Sequence, residues 1–398
     1  MVQVFKNLNR LFLYVLIFAA CFEYWDPFYI AKDFSLARIA TIPYILSVLP
    51  FLKQFLNFKN LLYFISPLLF LIISGIFSSV FNDIYVVGIA DVLNFRIFQL
   101  VLLMILLTAN MILFPHLLKG VLNVYILAMF TMAFLFTLFG VGVEYIDKRL
   151  FLFGENANQT AMKTALALLL LISILIKKKL NFKNIIQFLI LSLPILNLLI
   201  STNSRGGLLT FFIGIFLILL LIKTNWLSKI GLFLLGLGFS TYLFIYIMDN
   251  DKDFKARIET TVNKGDTAGR THLWDSAYRI IEDNMMFGVG NSGLLPSMKI
   301  YSGIYTEPHN VLLEVWLIYG FIGFIAFLLF LFRIIKQLLI VYKIKGEFIQ
   351  LVLFFVVLLN MLKSGGAMTL IFAWIFFAIF ISSIYYENNP NLDLNVKN

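Results

Sequence analysis

Long apolar runs, separated by short polar stretches, repeat along almost the whole chain. The runs are about 16 to 23 residues long, enough to cross a hydrocarbon layer as helices. Twelve spans are predicted, near residues 9–25, 36–52, 61–81, 95–114, 121–143, 160–176, 185–201, 207–222, 230–248, 310–332, 348–362 and 367–384. We therefore expect an all-α polytopic membrane protein with about twelve transmembrane helices.

One polar stretch, residues 249–309, is too long and too charged to lie in lipid. It separates the ninth and tenth spans, and we expect a large extracytoplasmic loop that contains short helices. The rest of residues 1–398 is expected to form a single membrane-embedded domain. Residues 385–398, rich in Asn and Asp, are expected to be a cytoplasmic tail.

Composition agrees with this pattern, because 61% of residues are hydrophobic and only 13% are charged. The formal net charge of +10 is interpreted as a topology signal. With both termini in the cytoplasm, the cytoplasmic connections hold about twice as many Lys and Arg residues as the short outside connections. This places the long loop outside the cytoplasm.

The charge also bears on partners and cofactors. No basic face with interleaved aromatic residues is present, so nucleic acid is not expected as a partner. Anionic lipids of the bilayer and phosphorylated substrates are better candidates. Three scattered His residues and one Cys form no metal-ligand pattern, and we expect neither a metal nor another cofactor.

The first candidate site opens the eighth span. Ser204 or Asn203 can cap that helix, while Gly206 and Gly207 allow an anion to approach the backbone. Arg205 adds a permanent charge with a planar set of donors. The alternative is a tight turn whose arginine reaches the lipid headgroups.

The second candidate lies in the long loop, where a helical pattern follows Gly269. The apolar positions of this segment share one helical face: Leu273, Ala277, Ile280 and Ile281. Arg270 and Trp274 flank that face one turn apart, whereas Arg279 falls on the opposite side. Arg270 can therefore point toward a membrane-level cavity. The alternative is an amphipathic helix with ordinary basic anchors.

The third candidate directly precedes the tenth span. Asn310 is a good N-cap, Pro308 fixes the entry of the chain, and His309 lies just before the first turn. A positive helix end favours the neutral imidazole, which can accept a proton. A structural histidine is the alternative.

A further outside loop precedes the sixth span. Arg149 is a candidate phosphate ligand, and Asn158 is expected to cap the following helix. Headgroup anchoring is the alternative for this loop, above all for Lys148.

Three of these motifs resemble the O-antigen ligase and polymerase superfamily of bacterial surface-glycan assembly. They are Ser204-Arg205-Gly206-Gly207-Leu208-Leu209, Gly269-Arg270-Thr271-His272-Leu273-Trp274 with Gly288-Val289-Gly290, and Pro308-His309-Asn310 continuing to Glu314. The stretch Tyr319-Gly320-Phe321-Ile322-Gly323 is also similar to the family. The first 140 residues resemble it mainly in hydropathy.

This resemblance implies a metal-independent, inverting glycosyltransferase of the bacterial inner membrane. It implies that the enzyme uses a glycan on undecaprenyl diphosphate at the outer, periplasmic face of that membrane. It implies that His309 is the general base and that Arg205 and Arg270 hold the diphosphate, with Arg149 as a third ligand. Gly206 and Gly207 would line the diphosphate site, and Ser204, Trp274 and Asn310 would support it.

The acceptor remains open at this point. The leading interpretation is a ligase that uses lipid A-core, and the alternative is a polymerase that uses a second lipid-linked repeat unit. A lipid-linked glycan flippase or other transporter represents a different class. It would predict repeats and charges deep in several spans, and the span interiors are nearly free of charge.

Overall fold

The computed structural model describes residues 2–27, 35–55, 61–81, 96–146, 149–178, 181–264 and 269–388. Lys148 and most of the predicted cytoplasmic tail lie outside the described residues.

Apolar helices form the bulk of the described chain. Ten of them are long and apolar enough to cross a membrane. They are α1 (Val2–Cys21), α2 (Leu36–Val48, continued by a 3-10 turn and α3, Leu52–Phe55), α4 (Leu62–Phe81), α5 (Arg96–Leu113), α6 (His116–Phe139), α7 (Ala157–Lys177), α8 (Phe182–Ser201), α10 (Trp226–Asn250), α14 (Val311–Lys345) and α16 (Ile371–Asn388). Two shorter apolar helices are α9 (Arg205–Leu221) and α15 (Ile349–Met361). The all-α polytopic membrane fold is confirmed, while full crossing by α9 and α15 stays a prediction.

The polar segment between α10 and α14 folds into three short helices. They are α11 (Lys252–Lys264), α12 (Arg270–Asp283) and α13 (Gly290–Ser302). The predicted apolar face of α12 is buried, whereas Arg279 is exposed. This segment therefore packs on the bundle through the face that the sequence pattern indicates.

A short antiparallel hairpin precedes α7 and was not predicted. Its strands are β1 (Val143–Ile146) and β2 (Arg149–Leu152), with Ile146 paired to Arg149. Leu150 and Leu152 are buried, so alternate residues of β2 fix the hairpin on the bundle and place Arg149 at its turn.

Polar caps define where several helices begin. The side chains that accept backbone N–H bonds at these starts are Asn156, Asn181, Ser204, Asn225 and Asn310. The prediction that Asn158 caps α7 was wrong, because Asn156 accepts the N–H groups of Asn158 and Gln159. Helix α7 therefore begins two residues earlier than predicted, and the Asn158 side chain can make contacts outside the helix.

The long helix α14 is broken at Gly320, where φ is +65°. The segment between α12 and α13 docks at this break, since the Val289 N–H donates to Leu317 O at 2.6 Å and the Phe321 N–H donates to Met285 O at 3.0 Å. On the other side, the Ser78 hydroxyl donates to Ile318 O at 2.8 Å. Backbone groups released by the break are thus satisfied within the bundle.

A buried polar cluster joins α1, α7 and α16. The Lys163 ammonium pairs with Glu155 and donates to Cys21 O at 3.1 Å. Glu23 accepts the Ile371 N–H at 2.9 Å and an Arg96 donor at 2.8 Å. The end of α1 and the starts of α7 and α16 therefore meet at one end of the bundle.

Candidate functional site

A cavity of about 650 Å³ lies at this end of the bundle, where several helix starts converge. Its walls come from β2, the first turns of α7 and α9, α11, α12 and the connections before α14 and after α15. Because unpaired backbone N–H groups carry partial positive charge at helix starts, the cavity is polarised toward anions.

Side chains add much more positive charge to the same cavity. The five cationic lining residues are Arg149, Arg205, Arg257, Arg270 and Lys363. No carboxylate is among the described residues that line it. Burial and the charges of Arg149 and Arg205 lower the pKa of Arg270. These cations repel one another, so a multiply charged anion would relieve the repulsion.

Arg205, the first residue of α9, faces α11. Its guanidinium Nη1 donates to Arg257 O at 2.6 Å and to the Thr261 hydroxyl. Arg257 in turn donates to Asn203 O at 2.9 Å. Asn203 has φ of +51°, so these contacts hold a tight turn ahead of the Ser204 cap. The start of α9 and the short helix α11 are thereby locked together.

Arg149 reaches the cavity through the hairpin. Its guanidinium donates to Asn158 Oδ1 at 3.1 Å, and the same oxygen accepts the Ser204 hydroxyl at 2.8 Å. Ser204 is fully buried and accepts the Gly207 N–H at 3.1 Å. One short chain of hydrogen bonds therefore orients Arg149 and joins the starts of α7 and α9.

Lys363, in the connection after α15, links two of the predicted motifs. Its ammonium donates to Gly206 O at 2.9 Å and to the Thr210 hydroxyl at 2.6 Å. Its carbonyl accepts an N–H of Arg270 at 3.0 Å. Burial and the charge of Arg270 lower the pKa of Lys363 to about 8. A ligand anion would favour its charged form.

His309 is held in a strained conformation at the cavity wall, with φ of +53°. The indole N–H of Trp274 donates to Pro308 O at 2.9 Å, which fixes the preceding residue. The Nδ1–Cε1 edge of the imidazole lies against Gly365, where an added Cβ would come within 2.5 Å of Nδ1. Strain of this kind, about 1–3 kcal/mol, is typical of functional sites.

The protonation of His309 follows from its surroundings. Burial, Arg270 and Arg149 lower its pKa, while Glu307 opposes them. The imidazole is therefore neutral at pH 7 and able to accept a proton.

The structure brings the three predicted motifs into one cavity. Arg149, Arg205, Gly206, Arg270, Trp274 and His309 all line it. Ser204 and Asn310 lie just behind it as helix caps. Gly207 does not line it, because its Cα packs on α7, where an added Cβ would lie 2.3 Å from Ala161 Cβ.

Two lining cations, Lys363 and Arg257, were missed by the sequence interpretation. Lys363 is one of the Lys and Arg residues counted in the short outside connections. Its segment Lys363-Ser364-Gly365-Gly366, between two apolar spans, repeats the small, polar character of the motif at Arg205. Arg257 belongs to a polar helix with no distinguishing pattern. His272, by contrast, contacts Ser302 O at 3.0 Å and does not line the cavity.

Comparison with known proteins gives one family match. Residues 188–328 match the family model Wzy_C, described as O-antigen ligase. The matched region contains Arg205, Arg270 and His309, together with all three short helices. No curated protein matches the chain. The family match confirms the resemblance that the three motifs indicated.

Proposed function

We propose that this membrane glycan enzyme of the O-antigen ligase superfamily transfers a glycan from undecaprenyl diphosphate to an acceptor sugar hydroxyl. The leading acceptor is lipid A-core. One observation carries the proposal: a neutral, strained histidine and five cationic side chains line a single cavity.

His309 takes the role of general base. The acceptor hydroxyl attacks the anomeric carbon, and its proton passes to the imidazole as the new C–O bond forms. The bond from that carbon to the diphosphate oxygen breaks, and the electron pair leaves with the diphosphate. Attack opposite the leaving group inverts the anomeric centre. A base with a lowered pKa is in the neutral form that this step requires.

The cationic side chains hold the diphosphate and stabilise the charge that develops on it. Arg205, Arg270 and Arg149 are the proposed ligands, and Gly206 lets an anion approach the first turn of α9. Fixed donors in a partly buried site are effective because they need no reorganisation during the reaction. We propose that this charge serves in place of a metal ion.

The position of the cavity suits a donor whose isoprenoid tail remains in lipid. It lies at the ends of membrane helices, at the level where headgroups are expected. The ends of α1 and α15 and the starts of α7, α9, α14 and α16 all lie on this side. Together with the distribution of Lys and Arg, this arrangement supports a periplasmic site and cytoplasmic termini in the inner membrane.

A polymerase that uses a second lipid-linked repeat unit needs the same donor site and is the alternative. The ligase and polymerase activities can be distinguished by the glycan products that they form. In a strain lacking this gene, surface glycan would be compared after complementation with wild type, His309→Ala or Arg205→Ala, with membrane abundance matched.

We expect both variants to leave glycan polymer on its lipid carrier, the outcome for a ligase. Loss of long chains with single repeats still attached would identify a polymerase. Wild-type glycan with both variants would contradict the proposed site and favour a transporter.

A further inference from the structure

A second cavity of about 520 Å³ lies at the opposite end of the bundle, between α6, α7, α8 and α15. Helix α7 carries both sites, with Asn158 at one cavity and Lys177 at the other. These residues are separated by almost the whole helix, about 28 Å at 1.5 Å per residue. The second cavity therefore lies near the other membrane surface.

The rim of this cavity is basic and polar. Lys119, Lys177 and Lys178 line it, and no carboxylate is among the described residues that do so. Lys177 forms an ion pair with Glu347, which does not line the cavity. Lys119 and Lys178 therefore present their positive charge at the cavity, and Glu347 neutralises part of the charge of Lys177. This environment is complementary to a negatively charged headgroup.

Amide side chains add to this polar surface. Asn123 on α6, Asn184 and Gln187 on α8, and Gln350 on α15 also line the cavity. Glycerol and phosphate oxygens of a lipid would accept hydrogen bonds from these groups.

Apart from Ser173, the remainder of the lining is Leu, Ile and Phe, including Leu171 and Leu191. A soluble anion would leave this apolar surface uncovered, whereas an acyl chain would bury it. We propose that the cavity binds one anionic glycerophospholipid, with its phosphate at the lysines and an acyl chain along α7 and α8.

Direct binding to the full-length protein in detergent tests this proposal. Native mass spectrometry would compare phosphatidylglycerol with phosphatidylcholine of matched chain length, and glycerol phosphate would serve as the headgroup without a tail. We expect retention of one phosphatidylglycerol in preference to phosphatidylcholine, and no retention of glycerol phosphate.

Substitutions of residues that line the cavity test whether phosphatidylglycerol binds there. Lys119→Gln with Lys178→Gln should weaken phosphatidylglycerol binding by about 30-fold, the loss expected when two lysines no longer attract a headgroup. Lys119→Arg with Lys178→Arg should retain binding. Lys336→Gln with Lys343→Gln removes the same charge from exposed positions of α14 outside the cavity and should bind as wild type.

Leu191→Trp fills the apolar part without changing charge and should also expel the lipid. Thermal unfolding of every variant verifies its fold. Equal binding of the two phospholipids, or wild-type binding by the glutamine variant or by Leu191→Trp, would overturn the proposal. A lipid-independent dimer in which these residues contact a second copy would overturn it as well.

Discussion

At the scale of single residues, the site depends on how neighbours control His309. Burial and two arginines keep its imidazole neutral, and Glu307 partly opposes them. The same arginines are the proposed diphosphate ligands. Donor binding would neutralise them and make the imidazole a stronger base when the acceptor is present. Charge on the donor and proton affinity of the base are thereby coupled.

Glu307→Gln tests this electrostatic control. Removing a carboxylate that raises the pKa of His309 should lower that pKa further. The neutral base would then persist to lower pH, so the acidic limb of the pH profile of kcat/KM should move to lower pH. Glu282→Gln, an exposed change on α12, should leave the limb in place. A shift to higher pH would contradict the assignment of this limb to His309.

Gly365→Ala tests the positioning of the imidazole. The new Cβ would lie 2.5 Å from Nδ1 of His309 and must displace the ring. Since a misplacement of about 1 Å can cost roughly 10²-fold in rate, we expect a loss of this order in kcat with little change in thermal stability.

Gly231→Ala is the control for this substitution, because a Cβ there meets nothing within 4 Å. Undiminished transfer by Gly365→Ala would show that the ring position is not critical.

At the scale of elements, the break in α14 holds the loop helices against the bundle. A Cβ added to Gly288 would lie 2.7 Å from Gly320 N, and a Cβ added to Gly320 would lie 2.2 Å from Met286 O. Both have positive φ, which glycine adopts without strain. This contact fixes the segment between α12 and α13, and α12 carries Arg270 and Trp274.

Gly320→Ala should disrupt this contact. The positive φ and the backbone clash should together lower the free energy of unfolding by at least about 2 kcal/mol. Thermal unfolding in detergent measures the loss. Gly238→Ala, in open space on α10, should unfold at the wild-type temperature or slightly above it. Equal stability of the two variants would show that the break tolerates a side chain.

Most of this framework follows from the sequence at the level of elements. Apolar runs located the membrane helices, and spacing identified the buried face of α12. The hairpin was missed because its strands have only four residues each and lie next to an apolar run. The break in α14 was missed because Gly320 lies in a continuous apolar segment. At the break Gly320 lies against Met286, which is distant in sequence.

The same limit applies to the site. Arg205, Arg270 and His309 each stand at a helix start, and local pattern identifies such positions. Lys363 contacts Gly206 and Thr210 across about 150 residues, and no local pattern predicts that pairing. Gly207 was predicted to line the diphosphate site, but it packs against α7. A glycine in the sequence can allow close packing of two helices as well as close approach of an anion, and local pattern does not distinguish the two.

At the scale of the whole molecule, two cavities occupy opposite ends of one helical bundle. The proposed orientation can be tested with single cysteines, because Cys21 is only 1% exposed and gives little background. Tyr305→Cys, at an exposed position before α14, should react with a membrane-impermeant maleimide once the reagent enters the periplasm. Lys343→Cys should react only after the inner membrane is opened. The reverse pattern would invert the proposed topology.

The most direct measurement is glycan transfer by purified protein, with a polyprenyl-diphosphate-linked donor and separate lipid A-core or lipid-linked acceptors. We predict transfer by wild type, donor binding without transfer by His309→Ala, and a loss of roughly 10²-fold in kcat/KM for Arg270→Gln. Arg279→Gln, on the exposed face of the same helix, should match wild type. Wild-type transfer by His309→Ala would contradict the assignment of this cavity as the catalytic site.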